Sequence, residues 1–331
     1  MSVQWRTWRS LGALAASLLT AALVTAPGAS TASAASCELW TGVPPPSPGA
    51  AENELDGMRA LGPCNVWAVG FYQNVTNGQI LSLAEHWNGT AWKVMSTPSP
   101  DSDRNVLSAV GAATINDAWA VGQTGSNTFI LHWNGSFWTQ APSPSPSSNT
   151  NDLFGVTVVS ATDAWAVGQY FPSSTTNPLV LHWDGQQWTQ TAAPHPGTDS
   201  VLEAVMATSA QDVWAVGGYI ASSGPKTLIE HWTGTKWSQV PSPNPAPRNS
   251  LLAVAATSAG NVWAVGTRTT SATEQTLIVR WNGTAWKPVP SPSPGQVNEL
   301  TSVATTSATD VWAAGFFTTG GVSQVLAAHC C

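Results

Sequence analysis

The motif Val-Trp-Ala-Val-Gly, or a close variant, occurs six times in this chain. Its tryptophans are separated by 52, 46, 49, 49 and 49 residues, and a second motif, His-Trp-Asn-Gly-Thr-x-Trp, recurs between the copies. Such regular spacing indicates one supersecondary unit repeated around or along an axis. The six tryptophans are Trp67, Trp119, Trp165, Trp214, Trp263 and Trp312.

The fifth unit shows what one repeat contains. Short runs rich in strand-forming residues cover 251–257, 262–266, 276–281 and 285–289. Asn282-Gly283 is a strong hairpin signal between the last two runs. The Ser-Pro-Ser-Pro segment at 291–294 ends the unit, because proline donates no ladder hydrogen bond and favours an extended, solvated path. Each unit is therefore predicted to form four antiparallel strands.

Four strands per repeat and no helical period predict an all-β fold, a six-bladed β-propeller. Neighbouring blades would cover both faces of each sheet, which explains why apolar residues occupy consecutive strand positions. The chain ends at Cys331 without a fourth strand for the last unit, whereas residues 37–43, which include Trp40, match that strand. We therefore expect the N-terminal strand to complete the C-terminal blade and close the ring.

The order of these motifs resembles known propeller repeats. It resembles the kelch repeat, in which a Gly-Gly strand precedes a tight turn and a Trp strand that ends in prolines. It is also similar to the secreted Asp-box propellers of sialidase type. The chain departs from kelch in usually having one glycine after Trp-Ala-Val, and it lacks the Ser-x-Asp-x-Gly spacing of the Asp box. The resemblance spans 37–331 and implies a propeller fold, which hosts enzymes, lectins and scaffolds alike.

The first 36 residues have the features of a secretory signal peptide. Arg6 and Arg9 precede an apolar stretch that is shorter than the ~20 residues a membrane-spanning helix needs, and small residues follow at 32–36. We expect cleavage before Cys37, a secreted product and one domain over 37–331; the alternatives are an uncleaved membrane anchor and a lipoprotein acylated at Cys37. Cleavage would change the formal charge from −7 to −9, which argues against nucleic-acid and anionic-membrane partners.

Two polar columns recur in the repeat. Histidine precedes the third-strand tryptophan position in five units, with Arg280 in the remaining one, and an Asp or Asn precedes each second strand. Equivalent positions in adjacent blades lie about 10 Å apart, too far to share a metal, and Asx residues at turns commonly bond their own backbone. We favour structural roles and expect no metal or cofactor. The columns are His86, His132, His182, His231 and His329, and Asn65, Asp117, Asp163, Asp212, Asn261 and Asp310.

One position of the repeat, near the loops that follow the second strands, holds different residue types in different units. It lies two residues beyond the glycine of each Val-Trp-Ala-Val-Gly motif and includes all three tyrosines of the chain. The loops after the second and fourth strands share the corresponding face and vary in length, which marks the better candidate for a binding surface. Aromatic residues there would either stack on sugar rings or cap the core between blades. The candidate ligand-binding residues are Tyr72, Tyr170, Tyr219, Arg268 and Phe317, with Thr124 at the position in the second unit.

The sequence favours a secreted, monomeric binding module that recognises a glycan or an exported or cell-surface protein through these loops. The chain shows no catalytic motif of a known class. One alternative is an extracellular glycosidase or lyase, which would need two carboxylates ~5 to 9.5 Å apart. Another is a structural or adhesion module without a specific ligand. Unrepeated carboxylates near the loops are Asp101, Asp103, Asp152, Asp199, Glu203 and Glu274.

The first testable prediction concerns the four cysteines, because export places them where disulfides persist. We expect Cys37 to pair with Cys331 or Cys330 and Cys64 to take the remaining C-terminal cysteine. A clamp that closes so long a loop would stabilise the fold by roughly 5 kcal/mol in the chain-entropy model. Non-reducing peptide mapping of the secreted protein tests the pairing; free thiols at Cys37 and Cys64 would contradict it.

Overall fold

In a computed structural model, which describes residues 44–270 and 273–330, the chain is all-β and forms a six-bladed β-propeller of antiparallel sheets. The first three blades contain β1 Asn53–Gly62, β2 Asn65–Gln73, β3 Ile80–Trp87, β4 Trp92–Met95; β5 Asn105–Thr114, β6 Asp117–Thr124, β7 Asn127–Trp133, β8 Trp138–Gln140; β9 Asn151–Ser160, β10 Asp163–Tyr170, β11 Asn177–Trp183 and β12 Trp188–Gln190. The last three contain β13 Ser200–Ser209, β14 Asp212–Ala221, β15 Gly224–Trp232, β16 Trp237–Gln239; β17 Arg248–Ser258, β18 Asn261–Thr269, β19 Glu274–Trp281, β20 Trp286–Val289; β21 Val297–Thr305, β22 Val311–Thr319 and β23 Val322–Cys330.

The predicted strand order is confirmed. Five blades have four strands in sequential antiparallel order, and the sixth has three within the described residues. The fourth strand predicted for that blade, at 37–43, lies outside the described residues, as does the signal peptide predicted at 1–36. All six blades lie in the compact unit Pro45–Cys331.

The first strands of successive blades contact one another and form the inner edge of the arrangement. Space is short there: a Cβ atom at Gly57 would lie 2.7 Å from the Cα of Ala109, and one at Gly155 would lie 3.1 Å from the Cα of Ala204. Each inner strand also contains a β-bulge next to this position, which the sequence patterns did not reveal. The bulged residues are Asp56, Ser108, Phe154, Glu203, Leu252 and Thr301.

The bulge explains the glycine of the Val-Trp-Ala-Val-Gly motif. A Cβ atom on Gly168 would overlap the carbonyl oxygen of Asp152 on the neighbouring inner strand, and a Cβ on Gly217 would overlap that of Val201. Because backbone atoms cannot move aside as a flexible side chain can, only glycine fits. The motif therefore encodes the close approach of the first and second strands.

A cluster of three tryptophans joins each of the first four blades to the next blade. Trp214 of β14 lies 5.1 Å from the ring centroid of Trp281 and 5.4 Å from that of Trp286, with the second contact edge-to-face. The same arrangement recurs for the motif tryptophans of the first three blades. Aromatic pairs in this geometry contribute beyond the area that they bury.

Trp312 in the sixth blade departs from this arrangement. Its side chain is 49% exposed, whereas Trp214 is 1% exposed. Among the described residues its ring contact is with His329, at 4.0 Å between ring centroids. Val325, on the neighbouring strand β23, is also exposed. One surface of the sixth blade is therefore less covered than the same surface of the other blades.

The difference between the two tryptophans gives a testable prediction. Trp214→Ala should lower the free energy of unfolding by about 3–5 kcal/mol, because it removes a buried aromatic ring from a closely packed interface. Trp312→Ala, the matched control, should lower the free energy of unfolding by clearly less, because about half of its side chain is exposed to solvent. Urea unfolding of both variants measures the difference. Equal losses would mean that Trp312 is fully covered in solution.

Candidate functional site

The connections between strands lie on two opposite faces of the propeller. The second-to-third-strand loops and the loops between blades lie on one face, which we call the variable face; the former range from two to six residues. The first-to-second and third-to-fourth connections lie on the other, the uniform face. There the third-to-fourth connections are 88–91, 134–137, 184–187, 233–236 and 282–285, four residues each.

The uniform face is built from one repeated turn. Asn282 Oδ1 accepts hydrogen bonds from the backbone N–H groups of Thr284 and Ala285, at 3.0 Å each, and Gly283 has a φ of 93°. Asp184 makes the same contacts in the third blade, where the N–H groups of Gln187 and Gln186 lower the pKa of its carboxyl. The Asn-Gly signal thus marks a four-residue Asx turn.

The candidate ligand-binding column lies where the second strands reach the variable face. Tyr170, Tyr219 and Phe317 are half-buried and pack against the clusters between blades. The Tyr170 hydroxyl also accepts a hydrogen bond from the Asn177 amide, at 3.2 Å. Tyr72 and Arg268 are half-buried at the same position. Three aromatic residues of the column therefore contact the core between blades.

A buried asparagine stands beside this column in most blades, and the sequence patterns did not reveal it. Asn105 Oδ1 accepts from the N–H of Asp101 at 3.0 Å, and its Nδ2 donates to the carbonyl of Ile80 in the preceding blade at 3.1 Å. Asn151 and Asn298 make equivalent contacts with their own loops and preceding blades. This amide fixes where each blade begins on the variable face.

The Ser-Pro segments do more than end the repeat. The backbone N–H of Thr128 donates to Ser145 Oγ at 3.0 Å, and its hydroxyl lies 2.7 Å from that of Ser143. Equivalent networks occur around Ser82, Thr227 and Thr276. The segments are therefore held against the third strand by side chains, where a solvated path was predicted.

The two polar columns predicted from the sequence meet each other. His231 Nε2 lies 2.5 Å from Asp212 Oδ1, and the imidazole ring stacks on Trp214 with 3.8 Å between ring centroids. The other four histidines pair with the Asx of their own blade at 2.7 to 3.2 Å. In the fifth blade Arg280 Nε donates to Asn261 at 2.9 Å, and the guanidinium lies over Trp263. Each pair orients a ring against the tryptophan core.

Two buried glutamates break the repeat. Glu230 on β15 and Glu85 on β3 have no exposed surface, and none of their carboxyl oxygens has a hydrogen-bond partner. Burial raises the pKa of Glu230 to about 8 and that of Glu85 to about 7. The equivalent position holds Leu131 and Leu181 in the second and third blades, where it faces the preceding blade. Both glutamates are thus placed in an environment that suits leucine.

Two shallow clefts open on the variable face. One, of about 530 Å³, is lined by residues that include Asp101, Asn127 and Ser143. The other, of about 630 Å³, is lined by Pro247, Arg248, Thr269, Thr270 and Glu274. Both lie between the loop that begins a blade and the second-to-third-strand loop of that blade.

The unrepeated carboxylates serve local structure. The N–H groups of Arg104 and Asp103 hold the pKa of Asp101 below its usual value. Asp199 accepts a hydrogen bond from the N–H of Thr176 at 2.8 Å, and Asp152 accepts one from Gln169 at 3.1 Å. Burial raises the pKa of Glu274, and the nearby Arg248 opposes that shift. Asp103 lies in the same loop as Asp101, and Glu203 is a bulge residue of β13.

Cys64 and Cys330 are exposed free thiols in this structure, and Cys37 and Cys331 lie outside the described residues. The predicted pairing therefore stays a prediction. Across 44–270 and 273–330 no cluster of three His, Cys, Asp or Glu side chains is suited to a metal. No helix in that part of the chain is long and apolar enough to cross a membrane.

Comparisons with known proteins show the fold alone. The chain matches no protein-family model and no curated protein. It is similar to the GH74 xyloglucanase from Xanthomonas campestris, at 15% identity and a TM-score of 0.54; the match covers 83% of this chain and 44% of the xyloglucanase. It is also similar to the structure of U3-55K, at 11% identity and a TM-score of 0.50, over 78% of this chain and 74% of the other.

The environment of Glu230 predicts a pH-dependent stability. Its Cα partners on the adjacent strands are Ala215 and Gln239, and the surrounding cluster is apolar, so no cation favours its ionised form. The unfolded chain releases this proton near the ordinary pKa of 4.5, and the folded chain near 8. Stability should therefore fall between about pH 4.5 and 8, at up to ~1.4 kcal/mol per pH unit, and level off above.

Glu230→Leu should remove the part of this dependence that Glu230 contributes, while Glu85 keeps its own contribution up to about pH 7. The variant should be more stable than wild type by a few kcal/mol at pH 8 and by clearly less at pH 4. Thermal or urea unfolding across that range measures it. Glu52→Leu, at an exposed position, is the control and should leave the profile unaltered. Parallel profiles for wild type and Glu230→Leu would contradict the burial of an unpaired carboxyl.

Proposed function

We propose that this protein is a secreted binding module that holds a glycan, or an exported or cell-surface protein, on its variable face. The observation that carries the proposal is the contrast between the two faces. On the uniform face the same Asx turn is repeated in four of the five third-to-fourth connections that the structure describes. The third-to-fourth connections all have four residues, whereas the second-to-third-strand loops of the opposite face range from two to six residues.

A rigid scaffold with variation on one face is typical of binding proteins. The buried asparagines and the Ser-Pro networks support this assignment, because they hold the bases of the variable loops in fixed positions. A preorganised surface loses less entropy when it binds a ligand. The resemblance to kelch and Asp-box propellers is compatible with this function, and it belongs to the proposal.

An extracellular glycosidase or lyase is the alternative class. The carboxylates of Asp101 and Asp199 are occupied by backbone N–H groups, which favours a role in loop structure over general acid catalysis. Glu274 is the candidate with a raised pKa, as a general acid requires. A hydrolase substrate panel run beside the binding assay addresses this alternative directly.

The experiment that tests the proposal is a glycan array probed with the mature chain, followed by affinity measurements on variants. Tyr170→Ala and Tyr219→Ala should each weaken binding about five-fold, because each removes a stacking surface worth ~1 kcal/mol. Phe137→Ala is the matched control, because Phe137 is 57% exposed in a turn of the uniform face. Unchanged affinity in both tyrosine variants would contradict a ligand site at this column.

A further inference from the structure

Arg268 is the member of the candidate column whose polar atoms the fold leaves unused. It lies on β18, two residues beyond Gly266, and is half-buried. Its Nε atom is buried without a hydrogen-bond partner, and none of the salt bridges within 44–270 and 273–330 involves it. A guanidinium stays charged at every physiological pH, so it keeps all its N–H donors.

The neighbouring blades show how this position is otherwise satisfied. Thr124, its equivalent in the second blade, donates to Asn105 Oδ1 at 2.8 Å. In the fifth blade the corresponding Asn249 already accepts from the N–H of Ala246 and donates to the carbonyl of the same residue. Neither of these hydrogen bonds of Asn249 involves Arg268, whereas Asn105 also accepts from Thr124.

The other two arginines of this blade have partners. Arg280 donates to Asn261 and lies over Trp263, and Arg248 lies close enough to Glu274 to oppose the rise in its pKa. Leaving a charged donor unpaired and partly desolvated is more costly than leaving a neutral one. No side-chain hydrogen bond or salt bridge of Arg268 within the described residues stabilises the fold.

We propose that Arg268 binds an anionic group of the ligand, and that the ligand is an acidic polysaccharide carrying carboxylate or sulfate. This inference rests on the proposed function and names the chemistry of its ligand. Tyr170, Tyr219 and Arg268 occupy the same position in three consecutive blades, so a sugar chain that crosses these blades would meet two aromatic edges and one cation. The fork of a guanidinium suits bidentate contact with a carboxylate or sulfate.

The overall charge of the chain bears on how it would recognise an acidic ligand. Because the chain is net acidic at −7, its net charge does not attract a polyanion, so the proposed recognition depends on local contacts. We therefore expect selectivity between acidic and neutral sugars to depend on one side chain.

The test compares an oligogalacturonate, its fully methyl-esterified form of the same length, and a sulfated oligosaccharide. Titration calorimetry on the mature protein should show that one of the two acidic ligands, carboxylated or sulfated, binds more tightly than the neutral ester. Arg268→Gln should weaken binding of that acidic ligand about 10- to 100-fold and leave the ester unaffected. Arg268→Lys should retain part of the affinity, because it keeps the charge and loses the bidentate geometry.

Lys236→Gln is the control, since it removes the same charge from an exposed turn of the uniform face. Thermal unfolding of each variant establishes that the fold is intact. Equal affinity of wild type for acidic and neutral ligands, or unchanged acid binding in Arg268→Gln, would overturn the role of Arg268 while a glycan-binding function stands. If wild type binds none of the glycans, glycan recognition itself fails. If a polyglutamate peptide binds and the glycans do not, the ligand is an acidic protein and the proposal of an acidic polysaccharide is wrong.

Discussion

The structure depends on one repeated contact, in which a second-strand tryptophan is held between two tryptophans of the following blade. The contact is favourable despite a cost. The indole N–H groups of nine second- and fourth-strand tryptophans are buried without partners, at ~1–3 kcal/mol each, whereas removing such a ring costs about 3–5 kcal/mol. Third-strand tryptophans avoid this cost: the indole of Trp232, for example, donates to the carbonyl of Ala210 in the adjacent turn.

That contact restricts where the chain can vary. It fixes the second, third and fourth strands, and the histidine stacked on each motif tryptophan is in turn fixed by the Asx of the uniform face. The inner strands are restricted by close backbone approach, as at Gly155 and Ala204. The variable loops and the bulged residues remain free of these requirements. Diversity on a single face thus follows from how the core is built.

The sequence patterns predicted the strands, the blade count and the repeated turn, because these depend on contacts within a few residues. They did not reveal the bulges or the asparagine and hydroxyl networks, because hydrophobic periodicity does not show side-chain hydrogen bonds between residues 15 to 25 positions apart. A signal did exist in the third blade. Pro178 has no N–H to donate, and the two partner positions that other blades fill with Ser, Thr or Asn are Ala193 and His195. Reading these three exceptions together would have linked the Ser-Pro segment to the third strand. For the column at Tyr170, periodicity could not distinguish a ligand platform from a cap over the core.

Residues that differ from their equivalents in the other blades fall into two kinds. One kind keeps the contacts of the repeat, and the other leaves a polar group without a partner. Some are compensated: Arg280 replaces histidine but still bonds an Asx side chain and covers a tryptophan. Others are not: Glu230 leaves a carboxyl in an apolar interface, and Arg268 leaves a buried Nε atom without a hydrogen-bond partner. Because leucine or an aromatic residue serves the fold at those positions in other blades, stability alone does not account for either one. The buried Glu230 can act only through the blade interface that surrounds it, whereas Arg268 lies where the second strand meets the variable face and can reach a ligand.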